Sequence, residues 1–176
     1  MEFFQTLYSR KTVRSYSGDP ITPEELSEIL KAAYAAPIGR RRYDTLHLTV
    51  ITNPAFLAEW EKQVGIETGK EDAHPFYGAP TVVLISSVVD EDPYGNVNYS
   101  NAASIAQNMA LAACNLGVGA CHIWGAVRTL NNCPDLLCRL PIPEGMKPVC
   151  SVALGHTDEV YTLREIPERF ETAYLK

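Results

Sequence analysis

Residues 101–117, NAASIAQNMALAACNLG, decide the expected fold of this chain because they predict a helix with apolar side chains on every face. Ala, Ile, Leu, Met and Cys make up most of the stretch, and Gly117 supplies a helix stop signal. A helix that is apolar all round has to be buried, so we place it at the centre of the domain. The residues after it, VGACHIWGAV (118–127), predict a strand followed by a glycine-bearing loop.

Helices and strands alternate around this central helix. Thr22-Pro23-Glu24-Glu25 is a capping box with proline at the first helical position, and Pro37 limits the helix that follows. The remaining elements are helices within 3–10, 54–65 and 133–140, strands within 46–52, 79–89 and 147–155, loops at 36–44 and 90–100, a loop or irregular helix at 66–79, and a charged tail at 164–176. We therefore predict one domain over residues 1–176, with an α+β fold in which helices flank a mixed central sheet.

Composition excludes several classes of protein. The 176 residues carry a formal net charge of −6 and are 46% hydrophobic, which suits a domain with a sizeable core. A pI of about 5.2 argues against nucleic-acid binding. The apolar run at 80–89 is too short to span a membrane, and no signal peptide opens the chain. Five cysteines without a CxxC pair, and scattered histidines, predict free thiols in the cytoplasm and no metal site.

Two basic clusters stand out in this acidic chain. In SRKTVRSY (9–16), Arg10 and Arg14 offer two guanidinium forks, with Lys11 and hydroxyl groups between them, and could bind a phosphate or similar oxyanion. The alternative is a solvated helix end whose cations complement the helix dipole. The second cluster, GRRRYD (39–44), has the ordinary alternative of an exposed basic turn.

The glycine-rich stretch GVGACHIWGAV (117–127) is a third candidate. Glycines at the end of a strand allow the backbone to approach a flat ligand, whose ring edge could then bond to main-chain N–H groups. Plain packing of helix against strand explains the same residues equally well. No sequence context makes a catalytic triad persuasive around His122 and Cys121.

In order, these motifs resemble the nitroreductase family of FMN-dependent oxidoreductases. SRKTVRSY is similar to the family's Ser-Arg-Arg-Ser-x-Arg-x-Phe signature, and ITPEELSEILKAAYAAP to its first long helix ending in Ala-Pro. YGAPTVVLISS resembles its Ala-Pro strand, NAASIAQNMALAACNLGVGACHIWG its central helix with the flavin-edge loop, and GMKPVCSVALGHTDE its closing strand. Five motifs in the right order over most of the chain make the resemblance specific.

The resemblance implies roles for matching positions. Arg10, Lys11, Thr12 and Arg14 would contact the phosphate, ribityl chain and pyrimidine edge of FMN, with Arg14 as the cation near the ring. Three further groups of cofactor-binding residues are implied: Pro37, Ile38 and Gly39, reaching the flavin of a partner subunit; Ile123, Trp124 and Gly125, facing the ring near N5; and Arg164, returning to the phosphate. The family also implies an intertwined homodimer, with no catalytic side chain because flavin N5 carries the chemistry.

The chain departs from the family in three places. After Ala-Pro it has Ile-Gly-Arg-Arg-Arg-Tyr-Asp, so Arg40, Arg41 or Arg42 could face phosphate or an anionic substrate. Asn101 stands where an acidic residue is common, and the segment between Asn53 and Ala79 is short, so the family's cover over the substrate site is expected to be reduced.

The expected function is an FMN-dependent oxidoreductase. NADH or NADPH would donate hydride to flavin N5, and a nitroaromatic, quinone or similar small electrophile would accept it in a ping-pong cycle. The alternatives are a non-catalytic flavin carrier or redox sensor, and an unrelated α+β regulator of an anionic ligand.

Overall fold

The computed structural model describes residues 2–89 and 96–176. Its helices are α1 (Phe3–Ser9), α2 (Pro23–Tyr34), α3 (Pro54–Thr68), α4 (Val97–Leu116), α5 (Gly125–Asn131) and α6 (Pro134–Leu137). Its strands are β1 (Leu46–Ile51), β2 (Thr81–Ser87), β3 (Gly119–Ile123) and β4 (Lys147–Gly155). Two short 3-10 turns, Gly39–Arg41 and Tyr43–Thr45, precede β1. The α+β class is confirmed.

The four strands form one sheet in the order β1-β2-β4-β3, and each of the three pairings is antiparallel. The mixed sheet that the alternation of helices and strands suggested is therefore absent from residues 2–89 and 96–176. Two neighbouring strands joined by a helix are parallel only when the connection returns the chain to the end of the sheet where the first strand began. Here residues 69–80 run back after α3 to the end of the sheet where β1 finished, so β2 starts beside that end.

The central helix α4 packs on one face of the sheet. It is not buried all round as expected, since Ser104, Gln107 and Asn108 on its other side are only half-buried. Side chains that alternate along β2 separate two cores: Val83 and Ile85 face α2 and α4, whereas Val82 and Leu84 face α3, α5 and α6. All four of these side chains are completely buried. The sheet is thus covered on both faces, and its two edges, β1 and β3, are where a ligand can approach the backbone.

Helix ends follow the predicted signals closely. Thr22 accepts a hydrogen bond from the backbone N–H of Glu25, whose carboxylate accepts one from the N–H of Thr22, so the capping box is complete. Gly117 ends α4 with a φ of 79°, a left-handed conformation that glycine adopts without strain. The start of α4 differs from expectation: the expected loop at 90–100 lies partly outside the described residues, and from Val97 onward it is helical.

The tail, residues 156–176, has no helix or strand, and its two halves differ. The first half is anchored: Thr157 Oγ1 donates to Ser15 O at 2.8 Å, and the Tyr161 hydroxyl donates to Val118 O at 2.7 Å. In the second half, large apolar side chains face solvent, including Phe170, which is 88% exposed. No helix among the described residues is long and apolar enough to cross a membrane.

Candidate functional site

The first basic cluster lies beside the edge strand β3. α1 ends at Ser9, so residues 10–16 lie outside the helix, and Arg10 and Arg14 are not helical neighbours. Val13 donates its N–H to Ala120 O at 3.0 Å and buries its side chain completely. With Val13 directed into the core, Thr12 and Arg14 on either side of it are exposed. The backbone of β3 therefore fixes the spacing of the cations.

Arg10 and Arg164 come together at the end of α1. Arg164 donates from Nε to Tyr8 O at 3.1 Å and from Nη2 to the carbonyl of Arg10, which satisfies carbonyl groups that the helix end leaves unpaired. Burial raises the pKa of the Cys114 thiol, and the charges of Arg10 and Arg164 both oppose that rise. Within residues 2–89 and 96–176, neither guanidinium forms an ion pair with a carboxylate. Two neighbouring cations without a carboxylate partner among these residues are a candidate anion site.

Lys11 differs from Arg10 because the tail already supplies its counter-charge. Lys11 Nζ lies 2.7 Å from Glu159 Oε2, and the backbone N–H of Arg14 also bonds to this carboxylate. The hydrogen bond from Lys11 holds the pKa of Glu159 below its usual range, so the carboxylate is ionised at neutral pH. Sequence reasoning overlooked Glu159, since nothing local links it to Lys11.

Arg14 connects the basic segment to a cleft at the end of β3. Its guanidinium carbon lies 5.8 Å from the centre of the Tyr77 ring, and Tyr77 lines a cleft of about 300 Å³ with Ile123, Trp124 and Gly125. Trp124 is 52% exposed, and a Cβ placed on Gly125 would meet no protein atom within 4 Å. The space beside Gly125 is open, as a flat ligand facing the main chain requires. Gly125 begins α5, where a loop was expected.

The polar groups of the cleft are neutral or paired. His122 Nε2 lies 3.1 Å from Ala106 O, and burial lowers the pKa of the imidazole, so His122 is uncharged at pH 7. Arg128 Nε lies 3.4 Å from Glu67 Oε1. Among residues 2–89 and 96–176, His122 contacts no hydroxyl or thiol that it could activate as a nucleophile.

Pro37, Ile38 and Gly39 lie far from the basic segment within one chain. Gly39 donates its N–H to Asn101 Oδ1 at 2.9 Å, near the start of α4. α1 instead packs at the other end of that helix, where Cys114 Sγ contacts Thr6 O. Thirteen residues of helix between Asn101 and Cys114 correspond to about 20 Å. One chain therefore does not bring all the predicted residues together.

The model of the nitroreductase family matches residues 7–156, which include β1–β4 and all of the predicted site except Arg164. The chain belongs to the nitroreductase family.

Solved nitroreductases share this fold over nearly the whole chain. A nitroreductase with bound FMN from Bacteroides fragilis superposes with a TM-score of 0.82 at 28% identity, covering 99% of this chain and 98% of that one. A second, also with bound FMN, from Desulfitobacterium hafniense, gives a TM-score of 0.83 at 23% identity, covering 100% and 99%. The FMN reductase (NADPH) of Bacillus subtilis is 23% identical over 86% of this chain, which spans only 64% of that relative's length.

The basic segment, Arg164 and the β3 loop lie along the β3 edge of one chain. Lys11 is there but paired, and Thr12 is exposed. Tyr77 is a second residue, after Glu159, that the sequence did not single out. Its signal was an aromatic residue directly before Gly78 in the turn that leads into the Ala-Pro strand.

Proposed function

We propose that this chain binds FMN and is an FMN-dependent NAD(P)H oxidoreductase. The observation that carries the proposal is the alignment, along β3, of an anion site, a separate cation and an open cleft. Arg10 and Arg164 form the anion site, Arg14 is the separate cation, and the cleft follows at Ile123–Gly125. A phosphate, a polar linker and a flat ring need this order of groups. The bound FMN of two structural neighbours supports the same assignment.

Each protein group then has a defined duty. Arg10 and Arg164 bind the phosphate, and the Thr12 hydroxyl bonds to the ribityl chain. Lys11 lies nearby, but its charge is balanced by the ion pair with Glu159. Arg14 stabilises negative charge on the ring, since a cation near its N1 edge favours the reduced form. Ile123, Trp124 and Gly125 present their main chain to the ring. When bound, FMN would supply hydride transfer through N5 between NADH or NADPH and a second substrate, in a ping-pong cycle.

The proposed substrate is a small flat electrophile such as a nitroaromatic or a quinone. The cleft is lined by Tyr77 and Trp124, and its imidazole is uncharged at neutral pH, so it favours planar apolar molecules. We assign no catalytic side chain. His122, Tyr77 and Trp124 act by position and by excluding water.

We further propose a homodimer with the cofactor at its interface. Pro37, Ile38 and Gly39 lie about 20 Å along α4 from Arg10, so they meet the same ligand only from a second copy. The exposed apolar side chains of the tail also need a partner surface. They include Leu163, Ile166, Phe170, Tyr174 and Leu175.

An anaerobic half-reaction tests the enzymatic proposal. Purified protein should be yellow or take up added FMN, and mixing with NADH or NADPH should bleach the flavin absorbance rapidly. Adding a quinone or a nitroaromatic to the reduced protein should restore the absorbance. Protein that binds FMN but stays oxidised with both donors would be a carrier or a sensor instead.

The dimer is tested separately by light scattering on the FMN-bound protein. A particle of twice the chain mass is expected. A monomer that retains FMN would contradict the interface site and leave the flavin assignment standing.

A further inference from the structure

Tyr77 occupies a backbone position that tyrosine rarely takes. The turn at residues 76–79 is closed by a hydrogen bond from Ala79 N to Phe76 O at 3.0 Å, and both central residues have positive φ, 56° for Tyr77 and 82° for Gly78. Turns of this type prefer Asn, Asp or Gly at the first central position. A left-handed tyrosine costs of order 1 kcal/mol or more. Local backbone preference therefore does not explain the side chain.

The Tyr77 side chain has two contacts that explain its presence. Its ring lies under the Arg14 guanidinium, 5.8 Å from centroid to carbon, within the range of a cation–π interaction. The same ring lines the cleft together with Trp124 and Gly125. The flanking Phe76 is completely buried, which fixes the turn and hence the direction of the tyrosine.

We infer that Tyr77 is a positioning residue that holds the Arg14 guanidinium at the mouth of the cleft, where it tunes the bound flavin. This inference rests on the proposed function. Arg14 is exposed and, among residues 2–89 and 96–176, has no carboxylate partner to fix it. A long side chain held only by solvent would spread over many rotamers. The aromatic ring restricts it to one direction without neutralising its charge.

The inference predicts an effect on reduced FMN more than on oxidised FMN, because Arg14 interacts more strongly with the more negative form. Loss of the ring should weaken binding of reduced FMN by about threefold relative to oxidised FMN, the size of an exposed cation–π interaction. For a two-electron couple that ratio lowers the midpoint potential by about 15 mV.

The test compares Tyr77→Asn with Tyr77→Phe. Asn suits the left-handed turn and removes the ring, so the fold should be kept or stabilised, whereas Phe keeps the ring and serves as the matched control. Midpoint potentials of the FMN-bound proteins are measured by spectroelectrochemistry, and FMN affinity by fluorescence titration. Tyr77→Phe should match the wild type, and Tyr77→Asn should have the lower potential. Tyr77→Gly is the second ring-deleted variant if Tyr77→Asn fails to fold.

A double variant shows whether Tyr77 acts through Arg14. In the Arg14→Gln background, Tyr77→Asn should cause no further shift of potential. Equal potentials for wild type and Tyr77→Asn, or the same shift with and without Arg14, would overturn the role of Tyr77 and leave the proposed function standing. Wild-type protein that takes up no FMN would overturn the proposed function itself.

Discussion

The two arginine-rich segments of this chain carry similar charge but are built in different ways. Residues 10–14 lie against an edge strand and are contacted by distant parts of the fold: Arg164 bonds to the carbonyl of Arg10, Glu159 to the ammonium of Lys11, and the Tyr77 ring lies beside the guanidinium of Arg14. Residues 40–42 form an exposed turn in which Arg40 and Arg41 have left-handed φ values of 60° and 57°. Next to this turn, Gly39 donates its N–H to Asn101 Oδ1 and so connects the turn to α4.

This difference teaches that local charge density does not identify an anion site. Arg164, from a distant part of the chain, donates to the backbone carbonyl of Arg10 and so fixes the backbone from which its guanidinium extends. Arg42 contacts Asp44, two residues away, at 3.3 Å, as a solvated surface turn permits. Left-handed backbone at two consecutive arginines stores local strain in the second turn.

Matched charge removals test this comparison with the largest expected effect. Arg10→Ala should weaken FMN binding by roughly 1.5–3 kcal/mol, the range for a hydrogen bond to a charged group. Arg41→Ala removes the same charge but should change affinity less than about threefold, and that change should disappear at high salt because exposed charges are screened. Fluorescence titration of the apoprotein with FMN measures both. Equal losses would mean that both segments bind phosphate.

The second prediction breaks the anchor of the 40–42 turn. Asn101→Leu keeps the approximate volume of a side chain that is 4% exposed, but it leaves the Gly39 N–H without its acceptor. The free energy of unfolding should fall by about 1–2 kcal/mol, and FMN affinity should fall with it if the loop serves a partner subunit. Asn101→Asp retains the acceptor oxygen and is the control. Urea denaturation distinguishes the two, and a stable Asn101→Leu with normal FMN binding would remove the loop from the site.

Local signals in the sequence predicted most of the fold. The Thr22 capping box, the Gly117 stop and the continuous apolar run of β2 act within a few residues, so one sequence is sufficient to recognise them. Val97-Asn98-Tyr99-Ser100 has weak helix propensity and was expected to be loop, yet it forms the first turn of α4. Buried Asn98 explains the difference, because its amide donates to Val88 O and so attaches that turn to the end of β2.

The sequence indicated which residues belong to the candidate site, but not which side chains contact each other there. Arg10, Arg14 and the Ile123–Gly125 loop were recognised by motif, and β3 brings them to one edge. The contacts of Arg14 with Tyr77 and of Lys11 with Glu159 join residues far apart in sequence. No local pattern encodes such pairs. Antiparallel pairing of the sheet was missed for the same reason, since it depends on where the loop after α3 returns.

The smallest predicted effect concerns Lys11, which should contribute less to FMN affinity than Arg10 does. The pair with Glu159 is about one-third exposed on both sides, with side-chain accessibilities of 31% and 33%, so it contributes little to stability. Because Glu159 already balances its charge, Lys11→Gln should weaken FMN binding by only about threefold, which is about 0.6 kcal/mol. Glu159→Gln, which frees the ammonium and removes a negative charge near the phosphate, should strengthen binding by a similar factor.

The lowered pKa of Glu159 means that the ion pair with Lys11 persists at neutral pH and is lost only as the pH falls through that pKa, so FMN affinities of these variants are compared at pH 7. If Lys11→Gln were as costly as Arg10→Ala, Lys11 would have to leave Glu159 for the phosphate, and the tail would then compete with the cofactor for this cation.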